Sequence, residues 1–291
     1  MIGSKLAVVV PAGPKDDAAD TLRSVLSYTD PELLLVIDDT HGRGIGLDDP
    51  RVVVFTPPPS PPGLFGGLWV KLAAAFRHAA EYADFDVLLR LDTDALVLGP
   101  GVAAAAAERL SRDSAIGALG AYRLGPDGNQ RDWTPARKMM LAELGPRGLR
   151  HRAARRRLRQ LVAGAPGYIP GEHPLGAAVL YRGDMVREWN RRGMLGYPEL
   201  GHCRLGEDHL FGLLTVAAGY KIADFGGPGD PMALRWRGLP AAPADLLSDG
   251  KLITHSVRYW ADMREPEIRQ FFAAHRAAAR ADTAAQTRPQ T

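Results

Sequence analysis

Four short apolar runs, each stopped by a turn or an acid, constrain this chain more than any other feature. Leu6-Ala7-Val8-Val9-Val10 ends at Pro11, and Leu33 to Ile37 ends at Asp38-Asp39. Arg51 to Phe55 ends in a loop holding Pro57, Pro58, Pro59, Pro61 and Pro62, and Asp86 to Leu91 ends at Asp92-Thr93-Asp94. Unbroken apolarity, in place of alternation, is what a strand covered on both faces requires, as in a parallel sheet. Helical stretches, about Ala18 to Ser27 and Leu68 to Tyr82, lie between the runs. The order β-α-β-β-α-β predicts an α/β fold whose mostly parallel central sheet carries helices on both faces. In such sheets ligands bind beyond the carboxyl ends of the strands, so the residues that punctuate those ends are the first functional candidates.

Beyond Asp94 the pattern predicts a helix over Val102 to Leu110 and a strand over Ala115 to Tyr122. Regularity then breaks from Arg123 to Pro174, where one helix, near Arg152 to Val162, stands among Gly/Pro turns, Trp133, Met139-Met140 and an arginine cluster. It returns with a strand over Gly176 to Tyr181, helices over Gly183 to Arg191 and Glu207 to Ala218, and a strand over Lys221 to Phe225. A strand over Lys251 to Ser256 and a helix over Pro266 to Ala281 follow. A chain of 291 residues fits one large α/β domain or two modest ones. With no internal repeat and no long linker, the expectation is one domain over 1–282. Its parts are a ligand-binding half at 1–122, a variable arginine-rich insertion at 123–175 and a second half at 176–282, before a frayed tail at 283–291.

Composition excludes several classes. The single cysteine, Cys203, rules out an intramolecular disulfide and a cysteine-based zinc site, and points to a reducing, cytoplasmic setting. No apolar run reaches the ~18 residues of a membrane span, and the opening residues lack the regions of a signal peptide. A net charge of +3 is too small for bulk nucleic-acid binding. Six lysines against thirty arginines, with abundant Ala, Gly and Pro, is the bias of a high-GC bacterial genome and carries no function.

Asp92 and Asp94, two residues apart at the end of a buried strand, converge on one point once the chain bends out of its pleat. Hard carboxylate oxygens suit Mg²⁺ or Mn²⁺, which keeps open positions for water and phosphates. The plainer alternative is a solvated strand-end turn. Glu207-Asp208, after Gly206 and ahead of an apolar helix, offers a general base; carboxylates there also serve as ordinary caps and dipole partners, worth ~0.3–1 kcal/mol. His255, at the end of a late strand, is either a structural histidine or a neutral imidazole ligand.

In order and spacing these motifs resemble the GT-A glycosyltransferases, particularly family 2, over about Leu6 to His255. The first strand of those enzymes ends at Pro, as at Pro11; the second ends in an acidic pair, as at Asp38-Asp39; the fourth ends in Asp-x-Asp, as at Asp92-Thr93-Asp94. A later Glu-Asp opens a helix, as Glu207-Asp208 does. The resemblance implies a Rossmann-like GT-A fold and a metal-dependent transfer of sugar from a UDP-, GDP- or dTDP-sugar to an acceptor hydroxyl of a glycan, lipid or small natural product. It implies that Pro11, Ala12, Asp39 with Asp38, and Thr93 surround the nucleotide. Asp92 faces ribose or metal-bound water, Asp94 and a late His such as His255 hold Mn²⁺ or Mg²⁺, and Asp208, with Glu207, supplies the base of an inverting mechanism. Lys71 stands where such enzymes carry a basic residue near the nucleotide, although their usual Ala-Arg-Asn is absent. Arg90 pairs either with the acidic cluster or with phosphate.

Seven arginines occupy the thirteen residues from Arg147 to Arg159. The alternatives are a solvated helix face or mobile lid, an anionic acceptor, and peripheral contact with an anionic membrane surface at the inner face of the membrane. Nucleic acid is not expected, since no aromatics interleave to stack bases. Trp133, Tyr168, Glu172 and His173 are candidates for acceptor contact, and His202 lies on the same presumed side. Two other enzyme classes share single features. A haloacid-dehalogenase-like phosphatase would use Asp92 and Asp94 as nucleophile and acid, but on a first strand, whereas three strands precede them here. A sugar nucleotidyltransferase needs a Gly-rich, Arg-containing loop that Pro11-Ala12-Gly13-Pro14-Lys15 lacks.

Overall fold

A computed structural model describes residues 4–60, 66–146 and 151–286, with side chains up to residue 281. Met1 to Gly3, Pro61 and Pro62 of the Pro-rich loop, Arg147 to Arg150 at the start of the basic stretch, and the end of the tail from residue 287 lie outside the described residues. The strands are β1 (Leu6–Ala12), β2 (Leu33–Asp38), β3 (Val52–Phe55), β4 (Val87–Leu91), β5 (Ala95–Val97), β6 (Ile116–Gly120), β7 (Ala178–Arg182), β8 (Lys221–Asp224), β9 (Met232–Leu234) and β10 (Ile253–His255), with a two-residue hairpin pair, β11 (Tyr259–Trp260) and β12 (Met263–Arg264), after them. The helices that build the site are α1 (Ala18–Tyr28), α2 (Gly66–Tyr82), α3 (Val102–Ser111), α4 (Thr134–Leu144), α5 (Arg152–Ala163), α6 (Gly183–Arg191), α7 (Glu207–Ala217), α8 (Pro243–Ser248) and α9 (Glu265–Gln286).

Seven strands form the central sheet in the order β3-β2-β1-β4-β7-β6-β8. All neighbours are parallel except β7, which runs antiparallel to both β4 and β6. The expected α/β architecture is therefore present, with this one reversal inside it. Side-chain alternation explains the two layers. Leu6, Val8 and Val10 of β1 pack with Leu22 and Val25 of α1 and with Val102, Ala106 and Leu110 of α3. Ala7 and Val9 face the other way, onto Trp69 and Phe76 of α2, Trp189 of α6 and Phe211 of α7. Each such apolar side chain, fully buried, contributes about 1.5–3 kcal/mol.

Reversal of β7 has a consequence for the site. Its first residue, Ala178, pairs with Leu91 at the end of β4, and Asp92 N–H donates to Ala177 O at 2.9 Å. The segment leading into β7, from Glu172 to Gly176, thus arrives at the same sheet edge as Asp92. A second, three-stranded sheet, β5-β10-β9, sits at that edge too.

Two expectations need correction. Residues 134–144, read as irregular, form helix α4. Pro135 looks like a turn signal, yet in the first helical turn its missing N–H costs nothing, and only Met140 of this helix is buried, so no apolar stripe announces it. The final helix runs to Gln286, past the expected end at Ala281 and into the tail expected to fray.

Candidate active site

Asp94 lies on the turn between β4 and β5. Antiparallel pairing of β5 with β10 sets Ala95 opposite His255, which brings a residue 161 positions later against the Asp-x-Asp turn. His255 Nε2 lies 3.0 Å from Asp94 Oδ1, while Ser256 Oγ and Arg258 Nε each donate to Asp94 Oδ2 at 3.0 Å. His255 Nδ1 is 2.7 Å from Arg235 O, and since a carbonyl only accepts, this nitrogen carries the proton. Nε2 then faces the carboxylate either as the second N–H of an imidazolium or as a lone pair shared with a cation. A backbone carbonyl that fixes the tautomer is the usual support of a metal-bound histidine. One donor atom each from Asp92, Asp94 and His255 lies within 4.8 Å of the others, so the set fits a divalent cation. Burial raises Asp94, but His255, Arg258 and Ser256 outweigh it and hold the carboxyl well below the usual range. Burial dominates at Asp92 and raises it against the pull of Arg90.

A crevice of about 320 Å³ opens beside this cluster, walled by Pro11, Ala12, Asp39, Lys71, Asp92, Thr93, Asp94 and Arg258. Most of the strand-end candidates therefore meet around one space. Lys71, from α2, forms an ion pair with Asp39. Asp38 does not line the crevice: its Oδ1 accepts from Thr40 N–H at 3.0 Å and Thr40 Oγ1 at 2.6 Å, holding the turn after β2. Arg90 is buried on the α7 face of β4, where it reaches Asp92 at 2.9 Å and Glu207 at 2.7 Å. Of the two partners considered for it, the acidic cluster is the one observed. Arg258 was missed from sequence; its place three residues after a late histidine is the only local sign.

On the other side of Arg90 a larger cavity, about 590 Å³, is lined by Glu207, Asp208, His173, His209, Arg131, Leu175 and Trp236 among others. Burial, with the neighbouring charges of Asp208 and Asp92, raises Glu207 even though Arg90 opposes this. At Asp208 burial is outweighed by His173 and by hydrogen bonds from His209, whose backbone N–H and Nδ1 both lie 2.8 Å from Oδ1, so this carboxyl is held low. His173 lies 3.4 Å from Asp208 Oδ2, stacks on His209 with centroids 3.8 Å apart, and is pushed down to about 4, chiefly by burial. His209 carries no warning in the sequence beyond its place beside the acidic pair.

The remaining acceptor-side candidates divide. Trp133 packs edge-on against His173, with centroids 5.3 Å apart, and Arg131 lies over its ring. Glu172 is buried as the acceptor of bonds from Tyr122 and Arg123, and the Tyr168 hydroxyl accepts from Gly171 N–H at 3.2 Å. His202 stacks on His151 and lines neither cavity. On α5 the buried stripe is Ala154, Leu158 and Leu161. Arg159 and Arg155 donate to the carbonyls of Leu144 and Gly145 at the end of α4, and Arg157 pairs with Glu199 at 3.0 Å. Cations at a helix C-terminus stabilise it. No described helix is long and apolar enough to cross a membrane.

Fold and site together define an α/β protein with Asp92, Asp94 and His255 gathered at the carboxyl edge of its sheet beside one crevice, and with Arg90 joining that crevice's Asp92 to Glu207 of a second cavity. No family model and no curated protein matches the chain. Among solved structures it is similar to the glucosyl-3-phosphoglycerate synthase of Mycobacterium tuberculosis, solved with Mn²⁺, UDP and glucosyl-3-phosphoglycerate. The identity is 17% over 84% of this chain and 75% of that one, with a TM-score of 0.38. It is also similar to the galactosyltransferase LgtC, solved with donor and acceptor sugar analogues, at 14% identity over 94% of this chain and 95% of that one, with a TM-score of 0.45. For the bifunctional glycosyltransferase WbbM the identity is 11%, the coverage 94% of this chain and 50% of that one, and the TM-score 0.46.

Proposed function

We propose that this chain is a metal-dependent GT-A glycosyltransferase that moves a sugar from a nucleotide-diphosphate donor to an acceptor hydroxyl, with inversion. The observation that carries the reading is the meeting of Asp92, Asp94 and His255 at the wall of a crevice that also holds Pro11, Asp39 and Lys71. In this reading Asp39 and Lys71, which line the crevice, contact the base and ribose, and Arg258 faces the phosphates. A divalent cation held by Asp92, Asp94 and His255 would stabilise the negative charge on the departing diphosphate without a proton transfer. Asp208 faces the larger cavity and is the carboxylate that would take the acceptor's proton, while the contacts from His173 and His209 that keep it ionised also weaken it as a base until they loosen. Glu207 is turned onto Arg90 and positions that arginine against Asp92. In this reading the exposed Arg152 and Arg156 of α5 are what remains of the basic stretch to meet an anionic acceptor or membrane surface.

The test is a thermal-shift screen of UDP, GDP and dTDP with and without Mn²⁺ or Mg²⁺. One nucleotide is expected to raise the melting temperature only when metal is present. Asp94→Ala should abolish that shift and all transfer, whereas Asp208→Asn should keep the shift and lose transfer. An Asp94→Ala protein that turns over normally would sink the reading, and silence towards every nucleotide would favour the phosphatase class instead.

A further inference from the structure

We propose that the larger cavity takes an acceptor with an apolar body, an anionic group and few hydroxyls, in preference to a glycan; that the occupant is an acceptor rests on the function proposed above. What points to this chemistry is the set of side chains in the wall. Among the described residues that line the cavity there is no serine, threonine, tyrosine, asparagine or glutamine. A saccharide brings many hydroxyls, each of which loses water on entry and needs a partner in the protein. In place of such partners the wall holds Met139, Leu175, Leu234 and Trp236. Its volume of about 590 Å³ is that of a site enclosing one small organic molecule.

The polar side chains of the wall gather around Asp208 and are largely taken. His209 Nδ1 lies 2.8 Å from Asp208 Oδ1, His173 Nε2 lies 3.4 Å from Oδ2, and Glu207 is paired with Arg90. Arg131 is engaged by the carbonyls of Ala121, Tyr122 and His173. One hydroxyl, held at Asp208, is what such a wall can receive. Two cations remain. Arg204 is exposed, and its side chain has no ion pair or hydrogen bond among the described residues. Arg235 is exposed as well, with only the attraction of Asp127. Guanidinium groups in that state match a carboxylate or a phosphate. Trp236, 72% exposed, supplies the apolar platform, steadied by Arg237 at 4.5 Å from its ring centroid. An apolar ligand that covers the indole removes it from water.

Isothermal titration of the full chain tests this with 6-hydroxy-2-naphthoate, ω-hydroxydecanoate, 2-naphthol and maltose. The naphthoate should bind more tightly than 2-naphthol, which lacks the anion, and about tenfold more tightly than maltose, which lacks the apolar body. Binding of ω-hydroxydecanoate in its place would still support the proposal and make the body an alkyl chain. Trp236→Ala and Arg204→Gln, both at exposed side chains, should keep the parent's melting temperature and each weaken binding of the acid by about tenfold. Silence towards both acids, maltose binding as tightly as either, or parental affinity in both variants overturns the proposal. No donor is present in these titrations. A chain that binds the acids yet shows no metal-dependent nucleotide response fails as a transferase only, whereas one that shows that response and ignores the acids fails here only.

Discussion

Arg90 shows what a single residue contributes here. It lies in a strand of otherwise apolar residues, 3% exposed, and bridges Asp92 of the smaller crevice to Glu207 of the larger cavity. Removing one partner of a buried ion pair leaves the other uncompensated. Arg90→Leu is therefore expected to lower stability by about 3–5 kcal/mol in urea unfolding, and adding Glu207→Gln should recover part of the loss. His173 gives a pH dependence. Its ordinary value of 6.5 is pushed down to about 4 in the folded chain, so the unfolded chain binds its proton more readily. Stability from this group is present above pH 6.5 and is lost as the pH falls towards 4. In EDTA, His173→Gln should flatten the wild-type decline over that window, by on the order of 3 kcal/mol at most. An unchanged pH profile for the variant would refute this.

At the scale of elements, helix α2, which carries Lys71 to the crevice, starts directly against the short 3₁₀ segment Pro198–His202. Gly66 makes this approach feasible. A Cβ there would sit 2.6 Å from Leu200 O, 2.8 Å from Gly201 O and 2.9 Å from Cys203 O, all backbone atoms that cannot swing aside. Gly66→Ala is expected to cost about 1–3 kcal/mol, seen as a lower urea midpoint at unchanged slope. Strand β7 teaches a related lesson. Its apolar run is legible in the sequence, and the expected bounds of helix α6 are those observed, but no residue in the run states which way the strand points. Direction followed from where the preceding insertion delivers it.

For the whole molecule, the last helix fastens onto the first. Arg269 and Arg276 of α9, both buried, converge on Asp20 of α1; Arg269 also donates to Thr93 O at 2.7 Å, inside the Asp-x-Asp turn. Asp20→Ala leaves the buried Arg276 guanidinium without its carboxylate and Arg269 with Glu265 alone. It should cost about 3–5 kcal/mol by chemical denaturation and also weaken metal-dependent nucleotide binding, because the Thr93 turn loses part of its support. A variant as stable as the parent would show that this clasp is dispensable. The sequence by itself determined the buried strands, their punctuation by Pro11, Asp39, Asp92 and Asp94, and the helix opened by Glu207-Asp208. These are local properties, carried by period, turn chemistry and apolarity over a few residues. Only the tertiary structure decided that His255 meets Asp94, that Arg90 joins Asp92 to Glu207, that Arg258 enters the crevice, and that His173 stacks on His209. Each of those contacts spans tens to hundreds of residues and depends on register and strand direction, which side-chain pattern alone does not encode.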